Sequence, residues 1–186
     1  MSSSRNEYKG VCVNKLVKKL GVLALLLCAG VAGVMSYQLL IAPQQNKIQH
    51  DFRILSGQKY TWGDLTDHWV VINYFAPWCA PCLREMPELN AFNRQLPENT
   101  LLFAINYDRK SESDLNEMAE KFNIHIPIIV AEDSTALPMP KPSYLPATFI
   151  IGPDGKVADT IMGEVTSKEI KRRLTEMQSS VVTISD

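Results

Sequence analysis

Two cysteines separated by two residues, within residues 78–82, lie between a short apolar run and an amphipathic run. Residues 70–75 are mainly β-branched or aromatic, which predicts a buried strand. Residues 83–95 carry apolar side chains at helical spacing and predict a helix. This order places Cys79 at a helix N-terminus, where exposed backbone N–H groups and the helix dipole favour a thiolate. Because the two cysteines can close a small disulfide ring, the sequence predicts redox chemistry.

A zinc site and a purely structural disulfide are the alternative interpretations of this cysteine pair. Zinc usually requires four ligands, such as a second cysteine pair or histidines at set spacing. The other cysteines, Cys12 and Cys28, lie in or before the apolar N-terminal segment, and the three histidines are scattered. No metal site is therefore predicted, and the strand-to-helix setting favours a redox site. The formal net charge of −1 argues against a nucleic-acid partner.

The N-terminal segment has the charge pattern of a membrane anchor. Residues 1–19 carry five lysines and arginines against one acid, and residues 20–42 form a run of 23 residues without a charge. Such a run can span a hydrocarbon layer of about 30 Å. Since basic residues stay in the cytoplasm, residues 20–42 are predicted to be a single-pass signal-anchor in a bacterial inner membrane. A cleaved signal peptide with a small-residue site at 30–32 is the alternative.

The rest of the chain is predicted to lie in the periplasm or outside the cell, with residues 43–50 as a tether and residues 51–186 as the folded domain. Alternating strands and helices predict parallel strands joined by right-handed crossovers. The predicted elements beyond those already given are a hairpin over 52–61, a helical turn over 62–67, strands at 100–107, 126–131, 147–151 and 156–162, and helices at 111–122, capped by Ser111, and at 166–178. Four prolines exclude a regular element over 137–146.

Residues 73–87, with the sequence NYFAPWCAPCLREMP, resemble the active-site segment of the thioredoxin superfamily, and in particular its membrane-anchored TlpA/ResA-like branch. The resemblance covers roughly residues 50–178. It implies a thioredoxin-like three-layer α/β/α sandwich with a mixed central sheet and an N-terminal β-hairpin, preceded by one transmembrane helix. It implies no cofactor other than a redox-active disulfide between Cys79 and Cys82.

The resemblance also implies roles for individual residues. Cys79 would attack a substrate disulfide as a thiolate, and Cys82 would resolve the mixed disulfide. Leu145 and Pro146 match the cis proline that precedes the strand running past the cysteines and would contact substrate, although an ordinary trans turn proline is the alternative. Trp78 would cover the sulfur pair, or else serve only in packing.

Three further residues are predicted to support the cysteines. Pro81 removes a backbone donor and stiffens the loop. Asn73 stands where cytosolic thioredoxins carry a buried aspartate, a difference that agrees with the TlpA/ResA-like branch. Glu85 lies one helical turn after Cys82 and matches a glutamate of ResA-like proteins, so it would raise the cysteine pKa values and act as a base. Alternatively, Glu85 only complements the helix dipole or pairs with an arginine.

The implied activity is reduction of protein disulfides outside the cytoplasm, for example in cytochrome c maturation. Electrons would come from a membrane thiol relay of the DsbD or CcdA type. A periplasmic disulfide oxidase or isomerase is the alternative among enzymes. A tethered module that binds copper or buffers thiols through the same two sulfurs is the alternative of a different class.

Overall fold

The computed structural model describes residues 50–182, with side chains to residue 179, and Gly21 and Gly30 before them. The predicted cytoplasmic segment, membrane anchor and tether therefore lie outside the described residues, apart from the two glycines and His50. In the part of the chain that the structure describes, no helix is both long enough and apolar enough to cross a membrane. Everything below belongs to the compact unit Gln49–Asp186.

The described residues form strands and helices close to those that the hydrophobic pattern predicts. Numbered in chain order, the elements are β1 (Phe52–Arg53), β2 (Lys59–Tyr60), β3 (Trp69–Phe75), α1 (Ala80–Asn93), β4 (Thr100–Asn106), α2 (Glu112–Lys121), β5 (Ile128–Ile129), β6 (Ala147–Ile151), β7 (Val157–Met162) and α3 (Ser167–Val182).

One mixed sheet organises the unit, with strand order β5-β4-β3-β6-β7. Strands β3, β4 and β5 are parallel, whereas β6 pairs antiparallel with both β3 and β7. All seven residues of the central strand β3 are buried, as its mainly apolar sequence predicts, and Asn73 is the one polar side chain among them. The mixed central sheet is confirmed.

The predicted N-terminal hairpin is present but short. Strands β1 and β2 pair antiparallel, with Phe52 opposite Tyr60, and their rings stack at a centroid distance of 5.2 Å. Beyond β1, Ile54 bridges to Ile129 of the edge strand β5. Two backbone hydrogen bonds, from Leu55 N–H to the Ile128 carbonyl at 2.8 Å and from Val130 N–H to the Arg53 carbonyl at 3.0 Å, thus join the hairpin to the edge of the main sheet.

The expected α/β/α layering is wrong in one respect: within residues 50–182 the described helices cover only one face of the sheet. All three described helices contribute to one apolar cluster, which includes Val71 and Phe75 of β3. Val70 and Tyr74 face the other side of the sheet, where the hairpin and the loop around Met139 cover them. The connections β3-α1-β4 and β4-α2-β5 step along the sheet in the same direction, and crossovers of one hand place both helices on the same face.

Several element boundaries differ from the sequence prediction for local reasons. Helix α1 begins at Ala80, because Cys79 itself is the N-cap. The strand expected over 126–131 shrinks to two paired residues, since Pro127 lacks the N–H that would continue the ladder. The predicted cap of α2 is confirmed, because the Ser111 side chain accepts a hydrogen bond from the backbone N–H of Asp114.

Candidate active site

The cysteine pair lies where the central strand β3 turns into helix α1. Cys79 and Cys82 are joined by a disulfide, and the backbone N–H of Cys82 points at the Cys79 Sγ at 3.3 Å. Pro81 lies in the first turn of α1, where a missing N–H leaves no helical hydrogen bond unmade. Cys79 is 5% exposed and Cys82 is 0% exposed. Cys79 is therefore the sulfur that a substrate reaches first.

The segment before β6 borders this site. The peptide bond between Leu145 and Pro146 is cis, as predicted. Pro146 is followed by Ala147, which pairs with Tyr74 of β3, and the Pro146 carbonyl accepts a hydrogen bond from Gly163 N–H at 2.9 Å. The sheet register thus brings this proline to the end of β3 from which the cysteine loop departs. Its contact with substrate stays a prediction.

Trp78 lies on the surface, and the residue is 63% exposed. Its indole Nε1 donates a 2.7 Å hydrogen bond to Asp108 Oδ2, and its ring meets Tyr107 edge-to-face at a centroid distance of 6.0 Å. Both partners follow β4, whose carboxyl end adjoins that of β3. Trp78 is therefore not a core residue, and its role in covering the sulfur pair stays a prediction. Sequence reasoning missed Tyr107 and Asp108, although their place just after a parallel strand is a signal.

Glu85 is buried behind the cysteines, with 2% of its area exposed. Its Oε1 accepts a hydrogen bond from Asn73 Nδ2 at 2.8 Å, and its Oε2 accepts one from the backbone N–H of Val165 at 2.9 Å. Burial raises the pKa of Glu85 to about 7, the two hydrogen bonds oppose this rise, and the charge of Glu164 adds to it. A carboxyl group with this pKa can release and take up a proton near neutral pH.

The alternative roles of Glu85, as an acid that complements the helix dipole or pairs with an arginine, do not fit its surroundings. Helix α1 has no acid in its first turn. The neighbouring Arg84 pairs with Glu164 at the surface, whereas Glu85 points inward to an amide and a backbone N–H. The structure therefore places Glu85 in the buried setting that a role in proton transfer requires.

Asn73 connects Glu85 to strand β6. Its Nδ2 also lies 3.0 Å from Thr148 Oγ1, and its Oδ1 is buried with no hydrogen-bond partner in the described part of the chain. Asn73 and Thr148 are both fully buried. Sequence reasoning missed Thr148 and Val165: a lone threonine in an apolar strand is a weak signal, and a backbone N–H gives none.

No cluster of three or more His, Cys, Asp or Glu side chains suited to a metal ion occurs in the described residues. The site instead combines a disulfide, a cysteine at a helix N-terminus that is slightly less buried than its partner, and a buried carboxyl group. These are the groups that thiol–disulfide exchange needs, since an attacking thiolate must form and a second thiol must lose its proton.

The fold and this site define a thioredoxin-like thiol:disulfide oxidoreductase. Residues 44–160 match the AhpC/TSA family, and the chain belongs to that family.

Two relatives agree with this assignment. The chain is 28% identical over 167 residues to the thioredoxin-like protein YneN of Bacillus subtilis, covering 86% of this chain and 98% of the relative. It is 27% identical over 157 residues to the thiol-disulfide oxidoreductase ResA of Bacillus cereus, covering 81% and 90%.

Two solved structures show the fold alone. StoA from Bacillus subtilis has a TM-score of 0.56 at 15% identity, with 65% of this chain and 92% of that chain covered. The exposed lipoprotein thioredoxin Etrx1 from Streptococcus pneumoniae has a TM-score of 0.59 at 19% identity, with 67% and 96% covered.

Proposed function

We propose that this protein is a membrane-anchored reductase of protein disulfides that acts outside the cytoplasm. The observation that carries the proposal is the buried Glu85, whose pKa of about 7 puts a proton acceptor one helical turn after the buried Cys82. An enzyme that reduces disulfides must deprotonate this second thiol to finish each cycle. The basic residues 1–19 and the uncharged residues 20–42 support the anchor and its orientation.

The reaction starts from the dithiol form. The Cys79 thiolate attacks one sulfur of the substrate disulfide and expels the other sulfur as a thiolate, which takes up a proton. Glu85 then accepts the proton of Cys82, whose thiolate attacks the Cys79 sulfur. This second attack releases the remaining substrate sulfur, which is protonated in turn. The substrate gains two electrons and two protons, and the Cys79–Cys82 disulfide forms.

A membrane thiol relay of the DsbD or CcdA type would return the enzyme to its dithiol form. Such a donor suits a site held at the outer face of the membrane, where cytoplasmic reductants do not reach. Disulfides of apocytochrome c are candidate substrates. The resemblance of residues 73–87 to the TlpA/ResA-like branch supports this choice.

Trapping in cells tests the proposal. Cys82→Ser should accumulate proteins disulfide-linked to Cys79, because the resolving thiol is missing, whereas the matched Cys79→Ser should trap none. Equal trapping by both variants would refute the assigned nucleophile. The redox state of the parent protein in cells tests the direction. Mostly reduced cysteines are expected for a reductase, and a mostly oxidised pair would favour an oxidase or isomerase.

A further inference from the structure

A cavity of about 200 Å³ opens at the carboxyl ends of β3 and β4, on the face of the sheet that the described helices do not cover. Sites for drug-sized ligands usually enclose ~300–1,000 Å³. This cavity is therefore suited to one side chain of a larger partner. Residues whose side chains matter to the argument line its walls: Tyr74, Tyr107, Arg109, Glu132, Met139 and Lys141.

Two wall residues link the cavity to the segment that carries the cysteines. Tyr74 of its wall is five residues before Cys79 and pairs with Ala147, directly after the cis proline. Tyr107 of its wall holds the Trp78 ring edge-to-face. The carboxyl ends of β3 and β4 thus carry residues of the cavity wall, and the cysteine loop leaves from the end of β3.

The loop over residues 137–146 supplies one wall. It contains Pro138, Pro140, Pro142 and Pro146, and each proline fixes its own backbone φ angle. Met139 is buried under the loop, while Lys141 is exposed. Since the prolines restrict the backbone on both sides of Lys141, little backbone entropy remains to be lost when a ligand binds.

Three charged side chains line the cavity, and two of them have partners of opposite charge. Arg109 pairs with Asp133 at 2.7 Å. Glu132 accepts a 2.8 Å hydrogen bond from Arg53 Nε.

Lys141 differs from Arg109 and Glu132 in having no partner of opposite charge among the described residues. Its ammonium lies 3.5 Å from the centre of the Tyr107 ring, and no carboxylate oxygen of the described residues lies within the 4.0 Å that defines an ion pair. The nearby Asp108 instead accepts the Trp78 indole N–H. The cavity therefore presents one positive charge without a negative partner among the residues that the structure describes.

We propose that this cavity is a specificity site, in which Lys141 binds the carboxylate of an Asp or Glu side chain that lies close to the disulfide of the substrate polypeptide. The apolar parts of Tyr74 and Met139 would contact its methylene groups, and the Tyr107 ring would hold the ammonium from behind. This inference rests on the proposed reduction of protein disulfides. It adds that substrates with an acidic residue next to the cystine are preferred.

The test uses the full-length reduced protein and disulfide-bonded peptides in which one Glu is moved through the positions on either side of a cysteine. Each peptide has a counterpart with Gln at the same position. The parent should favour at least one Glu peptide by about fivefold in kcat/KM, mainly through KM. Lys141→Glu should abolish this preference and Lys141→Arg should keep it. Lys121→Glu is the matched control, because Lys121 is an exposed lysine that also lies over an aromatic ring, Phe122.

The uncharged substrate bis(2-hydroxyethyl) disulfide distinguishes a failure of the specificity site from a failure of the proposed function. The Lys121→Glu control should reduce it at the parental rate. If the parent reduces it and either shows no preference among the peptides or keeps its preference in Lys141→Glu, the specificity site is refuted while the proposed function stands. If the parent reduces none of these disulfides, the proposed function fails and the specificity site with it.

Discussion

Replacing Glu85 by glutamine should remove a pH dependence of stability that the buried carboxyl group creates. The pKa of Glu85 rises from its ordinary 4.5 to about 7 in the folded protein. Between these values the folded state keeps a proton that the unfolded chain releases, so the folded state is favoured at low pH. The stabilisation is complete below pH 4.5 and is lost as the pH rises through 7. At about 1.4 kcal/mol for each pH unit, the loss is about 3 kcal/mol.

The substitution itself should cost little, because the glutamine amide is uncharged at every pH and has nearly the same shape as the carboxyl group. The amide oxygen can accept the Val165 N–H, which in the parent donates to Glu85 at 2.9 Å. The amide NH2 group can donate to Asn73 Oδ1, which has no other partner within the described residues, if the Asn73 side chain reorients. Above pH 7 the variant also avoids a buried negative charge.

Urea unfolding of the oxidised full-length protein in detergent, followed by tryptophan fluorescence, measures the effect. From about pH 4.5 to about pH 8.5 the free energy of unfolding of the parent should fall relative to that of Glu85→Gln by about 3 kcal/mol. Glu88→Gln is the matched control, because Glu88 is an exposed acid one turn further along α1. Parallel curves for the parent and Glu85→Gln would refute the reasoning, since the carboxyl group would then titrate as in the unfolded chain.

The same variant tests the role of Glu85 toward the sulfurs. An ionised carboxylate nearby disfavours a thiolate, so Glu85→Gln should lower at least one cysteine pKa. It should also slow disulfide exchange, because the base for Cys82 is lost. Alkylation rates of the reduced protein against pH report the pKa values. Alkylation and exchange curves that overlay those of the parent would show that the carboxyl group does not act on the cysteines.

The active site, a helix cap and the N-terminus each give one further prediction. Asn73→Asp places a second carboxylate about 3 Å from that of Glu85. The thermal midpoint of unfolding should therefore fall markedly at about pH 8 and recover at about pH 5. An equal loss at both pH values would contradict charge repulsion as the cause. Ser111→Ala should cost about 1 kcal/mol in urea unfolding, and an unchanged midpoint would show that the cap contributes nothing. A reporter fused after residue 186 should be active outside the cytoplasm and stay with membranes after a carbonate wash, whereas a shortened soluble form would indicate cleavage near Ala32.

Local patterns in the sequence determined much of the structure. Strand β3 is indicated by its mainly apolar sequence, the start of α1 by Cys79 at its N-cap, and the start of α2 by the Ser111 cap. Each of these signals depends on neighbours within about four residues in the chain. The cis bond before Pro146 was predicted from the resemblance of its surroundings to a known family. These features can be predicted from the sequence because the residues that determine each of them are close together in the chain.

Only the tertiary structure decided the surroundings of Glu85. A glutamate in a helix is by default exposed, and its burial here depends on Asn73 and Val165, which are 12 and 80 residues away. The placement of α1 and α2 on one face follows from the order of strands in the sheet. The contact between Lys141 and the Tyr107 ring follows from the path of a loop. Burial and long-range hydrogen bonds depend on which distant segments meet, and that is a property of the packed chain, not of any local pattern.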